Sequence, residues 1–262
     1  MTATLALVGT RRALRVVERN GRSYMRQWPA FVSGFAEPIL YLLSIGIGVG
    51  ELVGQVRAPS GQMVDYEQFV APAMMAVAAM NGCVFDTTIG FFFKTKYAHT
   101  YDGMLATPLG VPDVVRGELT WALGHSVANA LVFLVTMAAL GLTPSAWGVL
   151  AVPGAALVGF AFGGAGLGLT TYMRSWFDFD YIQIALMPLF LFSATFFPID
   201  QYPDAVAWLV RISPLYQGVA LQRALVLGDL SPVLLLHIAY LVAMGWYGLH
   251  VAGRRLGRML QP

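Results

Sequence analysis

Six long apolar runs separate the polar stretches of this 262-residue chain, and they constrain its fold more than any other feature. The runs cover residues 31–49, 69–93, 119–140, 147–172, 181–197 and 233–251; the fifth is the shortest and contains Pro188. Crossing a bilayer core of about 30 Å takes roughly 20 helical residues. Charged residues make up 11% of the chain, against about 25% in a soluble domain. The sequence therefore predicts an all-α integral membrane protein, one domain over residues 1–262, with six transmembrane helices.

The distribution of basic residues predicts the orientation. Cytoplasmic loops of membrane proteins are enriched in Lys and Arg. With six spans, 13 of the 16 Lys and Arg residues fall on the side that holds both termini, and only Arg57, Arg211 and Arg223 fall on the other. We therefore expect a multi-pass protein of a bacterial plasma membrane, with both termini in the cytoplasm. The polar segment between the second and third spans is then cytoplasmic too.

The first 28 residues are predicted to form an amphipathic helix. Arginines recur at spacings of three and four residues and so share one face: Arg11, Arg15, Arg19, Arg22 and Arg26. Apolar side chains fall on a different face: Leu7, Leu14, Val17, Tyr24 and Trp28. Such a helix lies in the membrane interface with its arginines toward lipid phosphate, and the alternative is an ordinary solvated helix. The interfacial helix is favoured because the first span follows directly.

Glycines are concentrated in the fourth span. They are Gly159, Gly163, Gly164, Gly166 and Gly168. Small residues let transmembrane helices approach closely, so we expect tight helix packing at this span. A dinucleotide-binding loop is rejected, because these glycines do not follow a strand.

The segment after the fifth span, residues 198–230, is interrupted by Pro198, Pro203 and Pro214. Proline breaks helices, and the pieces left at 205–210 and 216–227 are too short to cross a bilayer. The predicted orientation puts them outside, where their aromatic residues suit an interface. We expect one or two short re-entrant helices that dip into the outer leaflet.

Several kinds of chemistry are missing from the sequence. It has no Walker A loop (G-x-x-x-x-G-K-[ST]), since neither lysine follows a glycine, and no Ser/His/Asp or HExxH set is legible. The single cysteine, Cys83, and the four scattered histidines share no metal-ligand spacing. We therefore expect no catalytic residue, no metal and no cofactor in this chain.

Polar residues inside the spans are candidates for function, since burying them in hydrocarbon is costly. The candidates for an intramembrane pathway are Glu37, Asn81, Asp86 and His125. The acids have an alternative location near the cytoplasmic interface. There Glu37, Asp86 and Glu118 would pair with Arg26, Lys94 or Arg116.

Four stretches of the chain resemble ABC-2 type transporter permeases of the nodulation-protein-J-like branch. They are EPILYLLSIGIGVG at 37–50, YEQFVAPAMMA at 66–76, YDGMLATPLGVPDVVRGELTW at 101–121 and FSATFFPIDQYPDAVAWLVRISPLYQGVALQRALVLG at 192–228. The third is the most specific, because it has both the MLATP core and the downstream GE. The resemblance covers most of the chain. It implies a six-span permease that dimerises and binds two cytoplasmic ATPase subunits, which hold the ATP and Mg²⁺.

In that family, the loop after the second span forms a coupling helix that docks in a cleft of the ATPase. Carried over to residues 94–116, the resemblance implies ATPase-coupling roles for Tyr97, Tyr101, Asp102, Met104, Leu105, Thr107, Pro108, Asp113 and Glu118. Pro108 and Pro112 are expected to end this helix, and Asp113 to cap the turn into the third span. Met104 and Leu105 are expected to be buried in the partner's cleft. The alternative is a plain connecting loop.

The expected function is that of an export permease, paired with a second copy or with a sister permease. The resemblance implies amphiphilic cargo, namely a lipid-linked saccharide, a glycolipid or a hydrophobic drug, moving along a dimer interface lined by spans one, two and five. The alternatives from other classes are an ion-coupled secondary carrier and a non-transporting membrane scaffold. A neighbouring gene for an ATPase with a Walker A motif would favour the exporter over both.

Overall fold

A computed structural model describes residues 2–24 and 28–260; the side chains of residues 1–11, 25–35, 37–38, 45–47 and 258–262 lie outside this description. The long helices are α1 (Thr2–Tyr24), α2 (Trp28–Val53), α3 (Tyr66–Phe85), α6 (Val111–Ala139), α7 (Ala151–Thr170) and α11 (Leu234–Leu260). The shorter helices are α4 (Phe91–Lys96), α5 (Thr100–Leu105), α8 (Asp178–Leu191), α9 (Asp204–Ile212) and α10 (Pro214–Leu227). A π turn, Asp86–Gly90, joins α3 to α4, and the 3-10 turns are Ala146–Leu150 and Ile199–Gln201. A small antiparallel hairpin of β1 (Gln55–Arg57) and β2 (Met63–Asp65) connects α2 to α3.

Four helical stretches of the described residues are long and apolar enough to cross a membrane. They are Tyr66–Lys96, Val111–Ala139, Ala146–Thr170 and Leu234–Gly257. These stretches coincide with the predicted second, third, fourth and sixth spans, and the prediction of an all-α membrane protein is confirmed. The predicted first span lies within the 26 residues of α2.

The predicted fifth span is shorter as a helix than the apolar run suggested. Helix α8 has 14 residues and ends at Leu191, although the apolar run continues to residue 197. At 1.5 Å per residue, a helix of this length covers only about 21 Å. Pro188 lies in the last turn, and Ala194 takes a positive φ of 54° that an α-helix does not contain. Helix α8 alone is therefore shorter than the bilayer core, and a fifth crossing would also need the non-helical residues after Leu191.

Helix α7 lies at the centre of the bundle and packs on α3, α6, α10 and α11. Its glycines make these contacts possible on two sides. Toward α11, a Cβ added to Gly164 would overlap the Gly245 carbonyl, and one added to Gly248 would overlap Gly164 itself. Toward α3 and α6, a Cβ on Gly159 would lie 2.8 Å from Cys83 Sγ. The predicted close packing of the fourth span is confirmed, and on the α11 side backbone meets backbone.

Helix α1 packs along α6 at the predicted cytoplasmic end of the bundle. Its buried positions are Ala13, Val16 and Asn20, and the Val16 side chain fits against Gly117 of α6, where an added Cβ would lie 2.5 Å from Val16 Cβ. The packed face thus matches the predicted apolar face only in part, since Tyr24 of that face contacts Trp121 and His125 of α6. Leu14, on that predicted face, is 53% exposed. Helix α1 has three faces: one on α6, one apolar and one arginine-rich, and its location in the membrane interface stays a prediction.

The segment predicted to hold short outer helices contains α9 and α10, of nine and 14 residues. Pro214 begins α10 directly after α9 ends, which separates the two helices. Helix α10 packs into the bundle against α3, α7 and α11. Whether either helix dips into the outer leaflet stays a prediction.

Candidate coupling site

The segment predicted to couple to an ATPase is a short helix held between two turns. The chain leaves α4 at Tyr97, passes His99 in a left-handed conformation (φ 46°) and forms α5 over only six residues. Helix α5 ends before Pro108, as predicted, but Pro112 begins the next helix instead of ending this one. Asp113 caps α6 as predicted, since its Oδ2 accepts a hydrogen bond from the Gly110 N–H at 3.1 Å.

Tyr101 anchors this short helix to the rest of the chain. Its side chain is fully buried, and its ring centroid lies 5.0 Å from that of Phe91 in α4. Val111 and Val114, at the start of α6, belong to the same apolar cluster. Burial raises the pKa of the Tyr101 hydroxyl well above its ordinary value, and the nearby Glu118 carboxylate raises it further. A side chain enclosed in this way moves together with the helices around it.

Met104 and Leu105 also face the chain's own core. Both are partly buried against the cluster that contains Tyr101. Each side chain therefore has one part on its own chain and one part open. The expectation that a partner's cleft buries them stays a prediction.

Glu118 joins three elements beneath the coupling helix. Its Oε2 accepts hydrogen bonds from Lys94 Nζ of α4 at 2.6 Å and from Asn20 Nδ2 of α1 at 2.9 Å. Glu118 is 2% exposed, so its charge is compensated mainly by the lysine. A further contact ties α1 to α5, since Arg19 Nη2 donates to Thr100 Oγ1 at 3.2 Å. We call Asn20, Lys94, Tyr101 and Glu118 the Glu118 junction.

The remaining coupling candidates lie on the surface. Tyr97, Asp102, Thr107 and Pro108 are exposed. His99 Nδ1 lies 2.9 Å from Asp102 Oδ2, and this pair closes the turn before α5. The structure thus divides the predicted set into an exposed group, which a partner can contact, and an internal group of Tyr101, Asp113 and Glu118, which hold the helix in place.

The intramembrane candidates are only partly brought together. Asp86, at the start of the π turn, lies 2.9 Å from Nδ1 of His125 in α6, and both are buried. The His125 ring packs against Tyr24 of α1 at 5.0 Å. Asn81 is exposed on α3, and the side chain of Glu37 lies outside the described residues. Among the acids, Glu118 pairs with Lys94, as the alternative interpretation proposed, whereas Asp86 pairs with His125. Asp86 is also the first residue of the π turn, and π turns are common at functional sites in helices.

Sequence reasoning missed the contacts of three polar residues. Asn20 and Arg19 of α1 contact residues 98 and 81 positions further along the chain, which no local pattern indicates. Arg223 of α10 is buried, and its Nε and Nη2 donate to the backbone carbonyls of Phe69 and Ala194. The only signal for it was a single charge in an otherwise apolar stretch. The described residues contain no cluster of His, Cys, Asp and Glu able to hold a metal ion.

Comparison with known proteins gives one family match and a group of related proteins. A family model described as ABC-2 type transporter matches residues 12–227. Nodulation protein J of Rhizobium leguminosarum bv. trifolii is 34% identical over 194 residues, which cover 74% of this chain and 72% of that protein. Nodulation protein J of Rhizobium leguminosarum bv. viciae is 31% identical over 230 residues, or 87% of each chain. The Neorhizobium galegae protein of the same name is 28% identical over 253 residues, or 92% of each chain.

Proposed function

This chain belongs to the ABC-2 type transporter family, and we propose that it is the permease subunit of an exporter driven by a separate cytoplasmic ATPase. ATP and Mg²⁺ would bind to that ATPase. The permease would pair with a second copy or a sister permease, and each would bind one ATPase subunit. We place it in a bacterial plasma membrane with six spans and both termini in the cytoplasm, which the split of 13 basic residues against three supports.

One observation carries the proposal, namely the way the coupling segment is built. A force applied to α5 has to be passed to the spans. Tyr101 is enclosed between α4 and α6, and Glu118 links the ends of α1, α4 and α6 by an ion pair and a hydrogen bond. A surface made of Tyr97, Asp102, Thr107 and Pro108 is left for the ATPase. A plain connecting loop would need neither a fully buried tyrosine nor a buried ion pair beneath it.

The ATPase motion would reach the export route through α4 and α6. Helix α4 continues through the π turn into α3, the second predicted span, and α6 is the third. We place the export route along α2, α3 and α8. Helices α2 and α8 approach each other through Tyr41 and Phe190, whose ring centroids lie 6.4 Å apart. Aromatic rings with apolar neighbours suit amphiphilic cargo such as a lipid-linked saccharide, a glycolipid or a hydrophobic drug.

Gly103 offers a direct test, because it lies on the exposed side of α5. A Cβ added at this position meets nothing within 4 Å, so a larger side chain does not disturb the permease itself. We expect Gly103→Arg to leave membrane insertion and thermal stability unchanged. Co-purification of the ATPase should fall about tenfold or more, as expected when a contact near the centre of an interface is blocked.

Gly253→Arg is the matched control, since Gly253 is also exposed with nothing within 4 Å of an added Cβ. It lies on an open face of α11, outside residues 94–116, and this variant should bind the ATPase normally. Substrate-stimulated ATP hydrolysis in reconstituted membranes gives a second readout. Full binding and full stimulation by Gly103→Arg would show that the ATPase docks elsewhere, and the coupling role of residues 94–116 would be lost.

A further inference from the structure

The chain after α8 is irregular yet buried. Ser193, Ala194 and Thr195 are at most 1% exposed, and Ala194 has a φ of 54°. A positive φ in a residue other than glycine persists only where the surroundings hold it. Non-helical backbone at membrane depth is tolerated only when protein covers it or when it lines a cavity. We call residues 192–197 the α8 break, and some contact must hold it closed.

Arg223 of α10 supplies that contact. Its Nη2 donates to the Ala194 carbonyl at 2.9 Å, and its Nε donates to the Phe69 carbonyl at 3.1 Å. The guanidinium carbon also lies 3.6 Å from the centroid of the Phe69 ring. One side chain therefore connects the α8 break to the first turn of α3. Both elements lie at the predicted outer end of the bundle.

The charge of Arg223 is compensated in an unusual way. The side chain is 3% exposed, and no carboxylate of the described residues lies within ion-pair distance. The face of the Phe69 ring and two carbonyl acceptors stabilise the charge instead. The two acceptors belong to separate elements, so Arg223 bridges them only while those elements are together.

Helix α8 is otherwise weakly held. Its residues Tyr181, Ile184 and Met187 are each at least two-thirds exposed, and Phe179 is its single fully buried residue among those described. At the break, Ser193 Oγ lies 3.1 Å from Ser213 Oγ. Thr195 Oγ1 is buried with no hydrogen-bond partner among the described residues. Leu189, Phe190 and Phe196 pack partly on the core at this end of the helix, and Arg223 adds hydrogen bonds to that packing.

We propose that Arg223 is the positioning residue that closes the outer end of the export route, by holding the α8 break against the first turn of α3. This rests on the proposed function, because the route along α2, α3 and α8 has been assigned from it. In the closed arrangement Arg223 bridges Phe69 and Ala194. When the route opens outward, α8 moves away and the bond to Ala194 is lost.

The test measures access to the α8 break in cells that lack the ATPase. Thr195→Cys is introduced in a Cys83→Ser background, and the cysteine is labelled from outside with a membrane-impermeant maleimide. The native Thr195 is buried, and its hydroxyl bonds to nothing among the described residues, so the substitution removes no contact seen there. We expect slow labelling with Arg223 present. Arg223→Met should speed it about tenfold or more, since bonds to a charged donor are among the stronger ones.

Two further variants grade the effect. Arg223→Lys keeps the charge but loses the two-pronged geometry of the guanidinium, so its labelling rate should lie between those of the other two. Arg211→Met is the matched control, because Arg211 is an exposed arginine of the neighbouring α9. It should leave the labelling rate unchanged.

Cys83 separates closure from loss of structure. This cysteine is fully buried in the bundle between α3 and α6, far from the α8 break in the chain. In chains that keep Cys83 and Thr195, a permeant maleimide should label Cys83 equally slowly with Arg223 or Arg223→Met. If Arg223→Met speeds the labelling of Cys83 as much as that of Thr195→Cys, the whole bundle has loosened and the proposal is overturned. An unchanged rate at Thr195→Cys, or faster labelling there from the cytoplasmic face alone, would also overturn it. Labelling needs no ATPase, so its result can be interpreted whatever the outcome of the Gly103→Arg test. A failure of the coupling proposal and a failure of the Arg223 proposal are therefore distinguishable.

Discussion

The contact between α7 and α11 and the Glu118 junction join helices in opposite ways. At the first, Gly164 of α7 meets the backbone of Gly245 and Gly248 of α11, and the Phe160 ring packs against Gly245. At the second, single polar atoms make the connection, with Lys94 and Asn20 both donating to one oxygen of Glu118. One contact depends on shape alone, and the other depends on charge and hydrogen-bond direction.

The difference indicates which helices move. A backbone contact has one close-packed arrangement, and sliding either helix by a residue would bring side chains into collision. At the Glu118 junction Lys94 is 22% exposed, so its bond to Glu118 can be exchanged for a bond to water with modest loss. We infer that α7 and α11 form a fixed scaffold. Under the proposed function, helices α1, α4, α5 and α6 would form the part that responds to the ATPase.

The largest expected effect tests the shape side of the comparison. Gly248→Val would place a branched side chain into the backbone of α7, where even a Cβ overlaps Gly164. Overpacking without room to relax costs about 3 kcal/mol or more. We expect a large drop in the thermal midpoint of the purified permease and poor recovery from membranes. Gly253→Val, at an open position of the same helix, should have little effect. Equal stability of the two would show that the α7–α11 contact is loose.

A smaller effect tests the charge side. Glu118→Gln leaves Lys94 without its carboxylate. Because Lys94 is 22% exposed and keeps some water, we expect a loss of about 2 kcal/mol, below the range for fully buried pairs. The double variant Lys94→Gln/Glu118→Gln should lose less than the sum of the single variants. Stability would be measured by denaturant unfolding in micelles. Additive losses would show that the pair is not coupled, and Glu51→Gln, at an exposed glutamate, provides the baseline.

The smallest expected effect is at Gly117, where α1 packs on α6 beside Glu118. Gly117→Ala would place its Cβ 2.5 Å from Val16 Cβ, so α1 has to shift away from α6. Since α1 is partly exposed and packs mainly on α6, it can yield, and we expect a cost of about 1–2 kcal/mol. Gly124→Ala, on the same helix with nothing within 4 Å, is the control and should be neutral or slightly stabilising. Limited proteolysis between α1 and α2 should speed up only in Gly117→Ala.

Local patterns in the sequence predicted a large part of this fold. Hydropathy located α3, α6, α7 and α11 because a membrane-crossing helix needs a long apolar run whatever its neighbours are. The glycines of the fourth span indicated close packing because small residues let helices approach each other. The end of α8 was not predictable, since the run stays apolar to residue 197 while the helix stops at Leu191. The bond from Arg223 to Ala194, across 29 residues, is invisible to a local pattern.

The sequence located a candidate coupling segment but not the arrangement of its side chains. The resemblance pointed to the segment, and Pro108 indicated where α5 ends. What could not be predicted is which side chains turn inward. Tyr97 and Tyr101 are four residues apart and chemically the same, yet one is 57% exposed and the other is fully buried. That choice depends on the angle at which α5 returns to α4. Helix α1 shows the same limit, because its contact with α6 combines Val16 with Tyr24 of the predicted apolar face.

The π turn at Asp86–Gly90 also sets an angle. A π turn contains one residue more than the α-helical turn it replaces, and each residue of an α-helix advances the side chain by about 100°. The second span is therefore one continuous rod whose two halves differ in phase. Without the extra residue, Lys94 would point about 100° away from Glu118 and toward another neighbour. The partner of the buried glutamate is thus selected by a count of residues almost two turns earlier in the helix.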